Sequence, residues 1–275
     1  MSQLPSRRRV LACAAIALGR PAPGAVNRLT AEEKAGGWRL LFDGRSMRGW
    51  EDPARESPPG QAWVVEDGCL KAVARPRIRE DLLSTESFGD FELLFEWRIS
   101  PRGNSGVKYR IQDRALLVRN RPSPAGSKFE DMVNYELTHR RGDRSRIAPG
   151  DEVEEYLVAF EYQVIDPAVA SDARSGPGSL YDLAGEPHQA ARPVGEFNQG
   201  RIVLKGNHVE HWVNGVKVVD VDLGSAAVLG RLARRWGQSS PVYELLARQE
   251  RRRTPIALQH HNDEAWFRNI KLRPL

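Results

Sequence analysis

The segment Phe91–Ile99 constrains the fold more than any other part of the chain. Phe91, Leu93, Phe95, Trp97 and Ile99 alternate with Glu92, Leu94, Glu96 and Arg98. Successive strand side chains point to opposite faces, so this is a strand with one buried face. A second segment repeats the message. Arg201–Lys205, His208–Val213 and Val216–Val221 are three β-prone runs, and the last two are joined by Asn214-Gly215. A type I′ turn needs positive φ at both central residues, which makes Asn-Gly the strongest short hairpin signal. Trp63–Val65 and Cys69–Val73 flank Glu66-Asp67-Gly68 as a further hairpin. Many short strands with regular turns imply an all-β sandwich of two antiparallel sheets. With 275 residues and 40% hydrophobic residues, one sandwich domain can build its core from a single chain.

Two stretches depart from that pattern. Residues 112–156 are long, charged and weakly periodic. Residues 225–250 read as a short helical insertion, with Val228, Leu229, Leu232 and Trp236 followed by Tyr243, Leu245 and Leu246. Arg231, Arg234, Arg235, Arg248 and Arg251–Arg253 make this the most basic region, expected to be a solvated face.

The net charge of +5 is mostly local. Residues 1–25 contain Arg7, Arg8, Arg9 and Arg20 and no acid; removing those four of the 41 basic residues leaves 37 against 36 acidic. A nucleic-acid partner calls for a concentrated basic face, so none is expected. Arg7–Arg9, the Ala-rich run Val10–Leu18 and the breakers Pro21, Pro23 and Gly24 read as an export signal over residues 1–25. The string Ser6–Leu11 is twin-arginine-like, which points to a periplasmic or secreted protein exported after folding. The apolar run is too short for stable membrane insertion. Cys13 and Cys69 are the two cysteines. Cleavage would leave Cys69 alone, as a small buried hydrophobe without an intrachain disulfide.

Strand parity separates the core face from its opposite. Val107, Tyr109 and Ile111 share one parity, which places Lys108 and Arg110 together on the other. Val158, Phe160, Tyr162 and Val164 take the core parity, leaving Glu161 and Gln163 opposite. Ile256 and Leu258 leave Gln259 and His261 opposite, and turn His260 toward the core. Two cations, an acid, amides and an imidazole are the inventory that sugar hydroxyls require, because a hydroxyl both donates and accepts. Glu161 is followed at spacing two by Gln163, an amide. Asp166 is five residues on and points the other way, so the paired carboxylates of an ordinary glycosidase are missing from this strand. His208 and His211 lie three apart, on opposite faces. His139 and His188 are isolated loop histidines, and no zinc-type spacing occurs. Trp50, Trp63 and Trp212 are expected in the core rather than stacked on sugar.

The blocks Trp38–Gly44, Phe91–Leu93, Asn104–Arg110, Glu161–Asp166, Ala191–Asn198, Gly206–Gly215, Pro255–Asn262 and Trp266–Ile270 occur in an order that resembles the 3-keto-disaccharide hydrolase family. The resemblance spans roughly residues 37–275 and implies a single concanavalin-like jelly roll, related to lectins and laminarinase-type glucanases. It departs from the family at His260-His261-Asn262, where Asp-His-Gly is usual, and in the length of 112–156. It implies a small carbohydrate substrate oxidised at C3, whose C2 proton is acidified by the ketone. Cleavage would proceed by C2 proton abstraction and elimination, or by net hydrolysis. Glu161 or His261 would then serve as base or acid, Lys108 and Arg110 would stabilise the enolate oxygen, and Gln163 and Gln259 would orient hydroxyls. Tyr181, in a Gly-rich loop, would close over the groove. No cofactor is required; a divalent metal on His261 and distant carboxylates is an alternative way to polarise the ketone. The rival reading is a non-catalytic carbohydrate-binding module of the same fold.

Overall fold

The computed structural model describes residues 26–51, 61–76, 79–118, 134–138, 149–150 and 153–275. Residues 1–25, read above as an export signal, and His139 lie outside them. Strands are β1 (Arg39–Leu40), β2 (Trp50–Glu51), β3 (Trp63–Glu66), β4 (Cys69–Ala72), β5 (Leu82–Ser84), β6 (Phe91–Ile99), β7 (Asn104–Val118), β8 (Asn134–Thr138), β9 (Val153–Ile165), β10 (Asn198–Lys205), β11 (His208–Val213), β12 (Val216–Asp222), β13 (Ala257–Gln259) and β14 (Ala265–Pro274). Helices are α1 (Ala31–Ala35), α2 (Ala226–Trp236) and α3 (Pro241–Arg248).

The larger sheet runs β12-β11-β10-β6-β14-β4-β3, with β1 also on β14. The smaller runs β2-β5-β13-β7, with β9 along the other edge of β7 and β8 against its distal half. All the pairings are antiparallel. This is the all-β sandwich expected from the alternation of Phe91–Ile99, whose five odd-numbered side chains are all buried. Across the interface Phe91 meets Tyr109 and Phe95 meets Tyr162, both edge-on. Gly200 on β10 leaves room for the Phe95 ring, since a Cβ there would lie 2.4 Å from it. Trp50 and Trp63 are buried, whereas Trp212 lies on the outside of the larger sheet between Arg201 and Lys217.

The charged stretch after residue 111 is not a plain connection: β7 continues to Val118, pairs with β8 and is followed along its other edge by β9 from Val153. The insertion at 225–250 is helical as expected. Ser225 and Ser240 cap α2 and α3 by accepting from Val228 and Tyr243 N–H groups, and Pro241 begins α3.

His208 and His211 do point to opposite faces: His208 is exposed and His211 fully buried. His211 Nδ1 donates to Gly178 O at 2.9 Å, which leaves Nε2 to accept from the Tyr109 hydroxyl at 2.8 Å. Burial pushes its pKa down to about 4, the carbonyl contacts opposing. A depressed pKa means the unfolded chain binds the proton first, so acidification below the ordinary histidine range removes stability. The loss grows to about 3 kcal/mol as pH falls to the folded-state value. The expected observation is an imidazole NMR signal that stays in the neutral form from pH 8 to pH 5.5; protonation near pH 6.5 would contradict this bonding.

Candidate active site

The site lies on the face of the smaller sheet turned away from the larger one. The register places Lys108 of β7 directly between Glu161 of β9 and Ala257 of β13. Two pairs along, on the same face, Gly106 stands between Gln163 and Gln259. Glu161, Gln163 and Lys108 are all buried, although none of these side chains faces the sandwich core.

Glu161 Oε2 accepts from Gln259 Nε2 at 3.0 Å. With the Gln163 amide oriented to suit its surroundings, its nitrogen donates to Glu161 Oε1 at 3.1 Å and to Ser105 O at 3.3 Å. Both carboxylate oxygens therefore rest on amides. Glu161 Oε1 lies over Gly106, where a Cβ would come within 2.5 Å of it. Gly106→Ala is accordingly expected to push the carboxylate off its amides and lower kcat about 10²-fold while the sandwich still folds. Circular dichroism and steady-state kinetics would show this, and unchanged kcat would refute the packing argument.

Burial raises the Glu161 pKa to about 7; Lys108 pulls it down, Asp81 pushes it up and Arg235 pulls it down. Lys108 Nζ bonds Asp81 Oδ2 at 2.7 Å and lies 5.2 Å from the centre of the Tyr156 ring. Burial disfavours its charge, but Asp81 and Glu161 outweigh this and its pKa is raised. Burial likewise raises Tyr156, keeping its phenol protonated at neutral pH. A buried carboxylate near neutrality beside a fixed ammonium is the arrangement of a general base.

Arg235 closes one side. It lies at the end of α2, pairs with Asp182 Oδ2 at 3.1 Å and stacks 4.6 Å from the centre of the Tyr181 ring. Its charge acts on Tyr156, Tyr181, Asp182 and Glu161. The Tyr181 loop continues the sheet edge: Tyr181 N donates to Glu161 O at 3.0 Å, and Gly178 N to Gln163 O at 2.8 Å. His261 follows β13 and is exposed at the mouth. Removal of part of the ring from water lowers its pKa, and Arg79 lowers it further; Asp263 opposes and Lys108 adds to the lowering.

Six of the seven residues singled out from the sequence thus share this region: Glu161, Lys108, Gln163 and Gln259 on the sheet, with Tyr181 and His261 at its border. Arg110 does not, which corrects the parity reading. Between Tyr109 and Asp113 the register shifts, so that three residues of β7 oppose Ala159 alone. Arg110 takes a positive φ of 52° in this bulge. Its guanidinium turns to Gly206 O at 2.7 Å and Asp90 Oδ1 at 3.3 Å, beside the β10–β11 turn. Ile111 swings the opposite way and packs with Leu157 and Ala257. The extra residues of a bulge break the alternation, so parity counted from one side of it no longer holds on the other.

His260 is core-facing as read: it is buried, edge-on to Trp63, with Nε2 on Val73 O at 2.9 Å. Asp166 caps a turn by accepting from Ala168 and Arg102 N–H groups. Sequence reasoning missed Asp81, Tyr156 and Arg235. Arg235 was assigned to a solvated face, yet it is seven residues from Val228 and adjacent to Trp236, both buried. That spacing places it on the buried side of α2.

Among the described residues, three histidine and carboxylate side chains converge at His208, Glu210 and Asp220, on the β11–β12 edge of the other sheet. Lys217 already bridges Glu210 and Asp220. The two carboxylates thus accept from an ammonium ion, and His261 is not part of this cluster.

A buried carboxylate whose pKa is raised to about 7, set near Lys108 and Arg235 on the outer face of the smaller sheet, is the arrangement of a β-sandwich enzyme that works by general acid–base catalysis. A solved structure from Parabacteroides distasonis, provisionally named a glycosyl hydrolase, is similar at a TM-score of 0.64 and 25% identity, over 91% of this chain and 99% of that one. Another from the same organism, similarly named, shares the fold at a TM-score of 0.54 and 21% identity, over 86% and 99%. A 3-keto-disaccharide hydrolase of Bacteroides thetaiotaomicron is 31% identical over 260 residues, 88% of this chain and 79% of that protein. The model of the 3-keto-alpha-glucoside-1,2-lyase-like domain matches residues 37–273, and the chain belongs to that family.

Proposed function

We propose that this protein cleaves the glycosidic bond of 3-keto-glucosides, with Glu161 as the base that removes the C2 proton. The observation that carries the reading is the Glu161 carboxylate itself: buried, titrating near 7, and held on two amides opposite Lys108. The relative and the family model support the substrate class. The ketone makes the C2–H acidic. Glu161 takes that proton, and the electron pair moves onto O3 as an enolate. The enolate then collapses to expel the C1 oxygen, leaving a C1=C2 double bond conjugated to the ketone. Lys108 and Arg235 supply positive charge for O3, the role first given to Arg110. His261, held neutral by its lowered pKa, donates a ring N–H hydrogen bond to the leaving oxygen, which takes its proton from water. Adding water across the double bond gives net hydrolysis.

Asp81 is a second carboxylate near Glu161, but its oxygens are engaged by Lys108 and the His260 N–H. It faces Glu161 across an ammonium ion, which favours elimination over paired-carboxylate hydrolysis. The test is to offer an aryl 3-keto-glucoside and its unoxidised parent in D2O. The expected outcome is aryl release from the keto compound alone, with deuterium at C2 of the hydrated product. Equal turnover of the parent would point to ordinary hydrolysis, and saturable binding without release to the binding module. Export belongs to the same reading: replacing Arg7–Arg9 by lysines is expected to retain the protein in the cytoplasm, as fractionation would show.

A further inference from the structure

We propose that Asp81 is a positioning residue that balances the charge of Lys108 against Glu161 and, through its second oxygen, holds the end of β13 that carries Gln259 and His261. The proposal deepens the function proposed above and rests on it for Glu161's role as base.

The geometry is that of a two-sided brace. Asp81 is 9% exposed, immediately before β5. Oδ2 takes Lys108 Nζ at 2.7 Å and Oδ1 takes the His260 N–H at 2.9 Å. The segment leading to it is anchored where the Trp63 indole donates to Glu80 O at 2.8 Å. Residue 260 is tied separately, through its ring, to Val73 O. The carboxylate therefore joins β7 to β13 at the level of Glu161, between the residues expected to touch substrate. It is a positioning residue because its contacts are with the protein.

Its charge matters because of where Lys108 stands. An unbalanced ammonium directly across from Glu161 would draw the carboxylate into an ion pair and weaken it as a base. The charged and titratable groups that interact with Glu161 come from four places: Lys108 on β7, Asp81 before β5, Arg235 at the end of α2 and Tyr156 on β9 itself. Asp81 supplies the compensating negative charge. Glu161 is raised partly by Asp81, and Lys108 is raised by it as well.

Removing the charge while keeping the shape has a signed consequence. In Asp81→Asn the acid limb of kcat/KM, set by Glu161, and the alkaline limb, set by Lys108, both move to lower pH, each by about one unit. In Asp81→Glu the charge stays but the brace is displaced, so kcat falls several-fold with KM little changed and both limbs in place. A purely structural role would lower activity in both variants with the limbs unmoved, and that result overturns the proposal. Shifted limbs in Asp81→Glu overturn it too, and where Asp81→Asn folds poorly Asp81→Ser takes its place, with the same downward movement of both limbs expected and unmoved limbs overturning the proposal. Infrared pH titration of the buried carboxyl, assigned by its loss in Glu161→Gln, needs no substrate. A lower midpoint in Asp81→Asn supports the charge balance and an unchanged one refutes it, even if the keto-glucoside reading itself fails for lack of turnover by the wild type.

Discussion

Glu161→Gln is expected to abolish turnover and, at the same time, to make the protein more stable at pH 8. The activity loss follows from the role of the base: an amide of the same shape cannot accept the C2 proton, and a positioned base contributes about 10²–10⁴-fold. The gain in stability follows from linkage. The folded pKa is about 7 against an ordinary value of 4.5. The folded state thus holds its proton more tightly than the unfolded chain. As pH rises from 4.5 through 7 the fold must ionise a carboxyl that resists ionisation, a cost approaching about 3 kcal/mol above pH 7. Glutamine resembles the protonated acid and escapes this cost. The Gln163 amide can reverse to meet it, so a net gain of about 1–3 kcal/mol is expected. Urea unfolding at pH 5 and pH 8 gives the check: the variant's advantage should appear at pH 8 and fade at pH 5. A variant less stable at both would mean that the carboxylate is held as a structural ion.

Lys108→Met is expected to do the reverse and destabilise strongly. Lys108 and Asp81 side chains are 4% and 9% exposed, 2.7 Å apart. Breaking a buried pair strands the remaining charge, at a cost of about 3–5 kcal/mol. The variant should also move the acid limb of the residual activity upward, because Lys108 is the strongest influence lowering Glu161. Denaturant midpoints and a pH–rate profile together read both effects. Wild-type stability would mean that Asp81 finds another partner.

What could be read from the sequence divides along physical lines. Parity works wherever a strand is regular, so β6 and Glu161, Gln163, Gln259 and His260 follow from alternation, and the β10–β12 meander follows from its Asn214-Gly215 turn, although Trp212 lies outside the core beside the register shift of β11. It failed at Arg110 because a bulge is a backbone event with little residue signature; a positive φ at arginine gives no cue of the kind glycine would. Asp81 was missed for another reason. It precedes Leu82-Leu83 without pattern, and its partners are 27 and 179 residues away. Contacts that distant are set by topology, which no local window contains. Arg235 was legible in principle, through its place on the apolar side of α2.

The bulge at Arg110–Gln112 has a consequence for how such a protein can diverge. Six cross-strand pairs, Asn104–Tyr109 with Phe160–Ile165, lock the reacting half of the β7–β9 ribbon. Gln112 pins the bulge to the Arg251 backbone, donating to its carbonyl at 2.9 Å and accepting from its N–H at 3.0 Å. The far half of the ribbon can therefore lengthen, shorten or be exchanged without carrying a register slip back to Lys108 and Glu161. It serves as a firebreak: new rims can be tried on one side of it while the chemistry on the other is inherited intact.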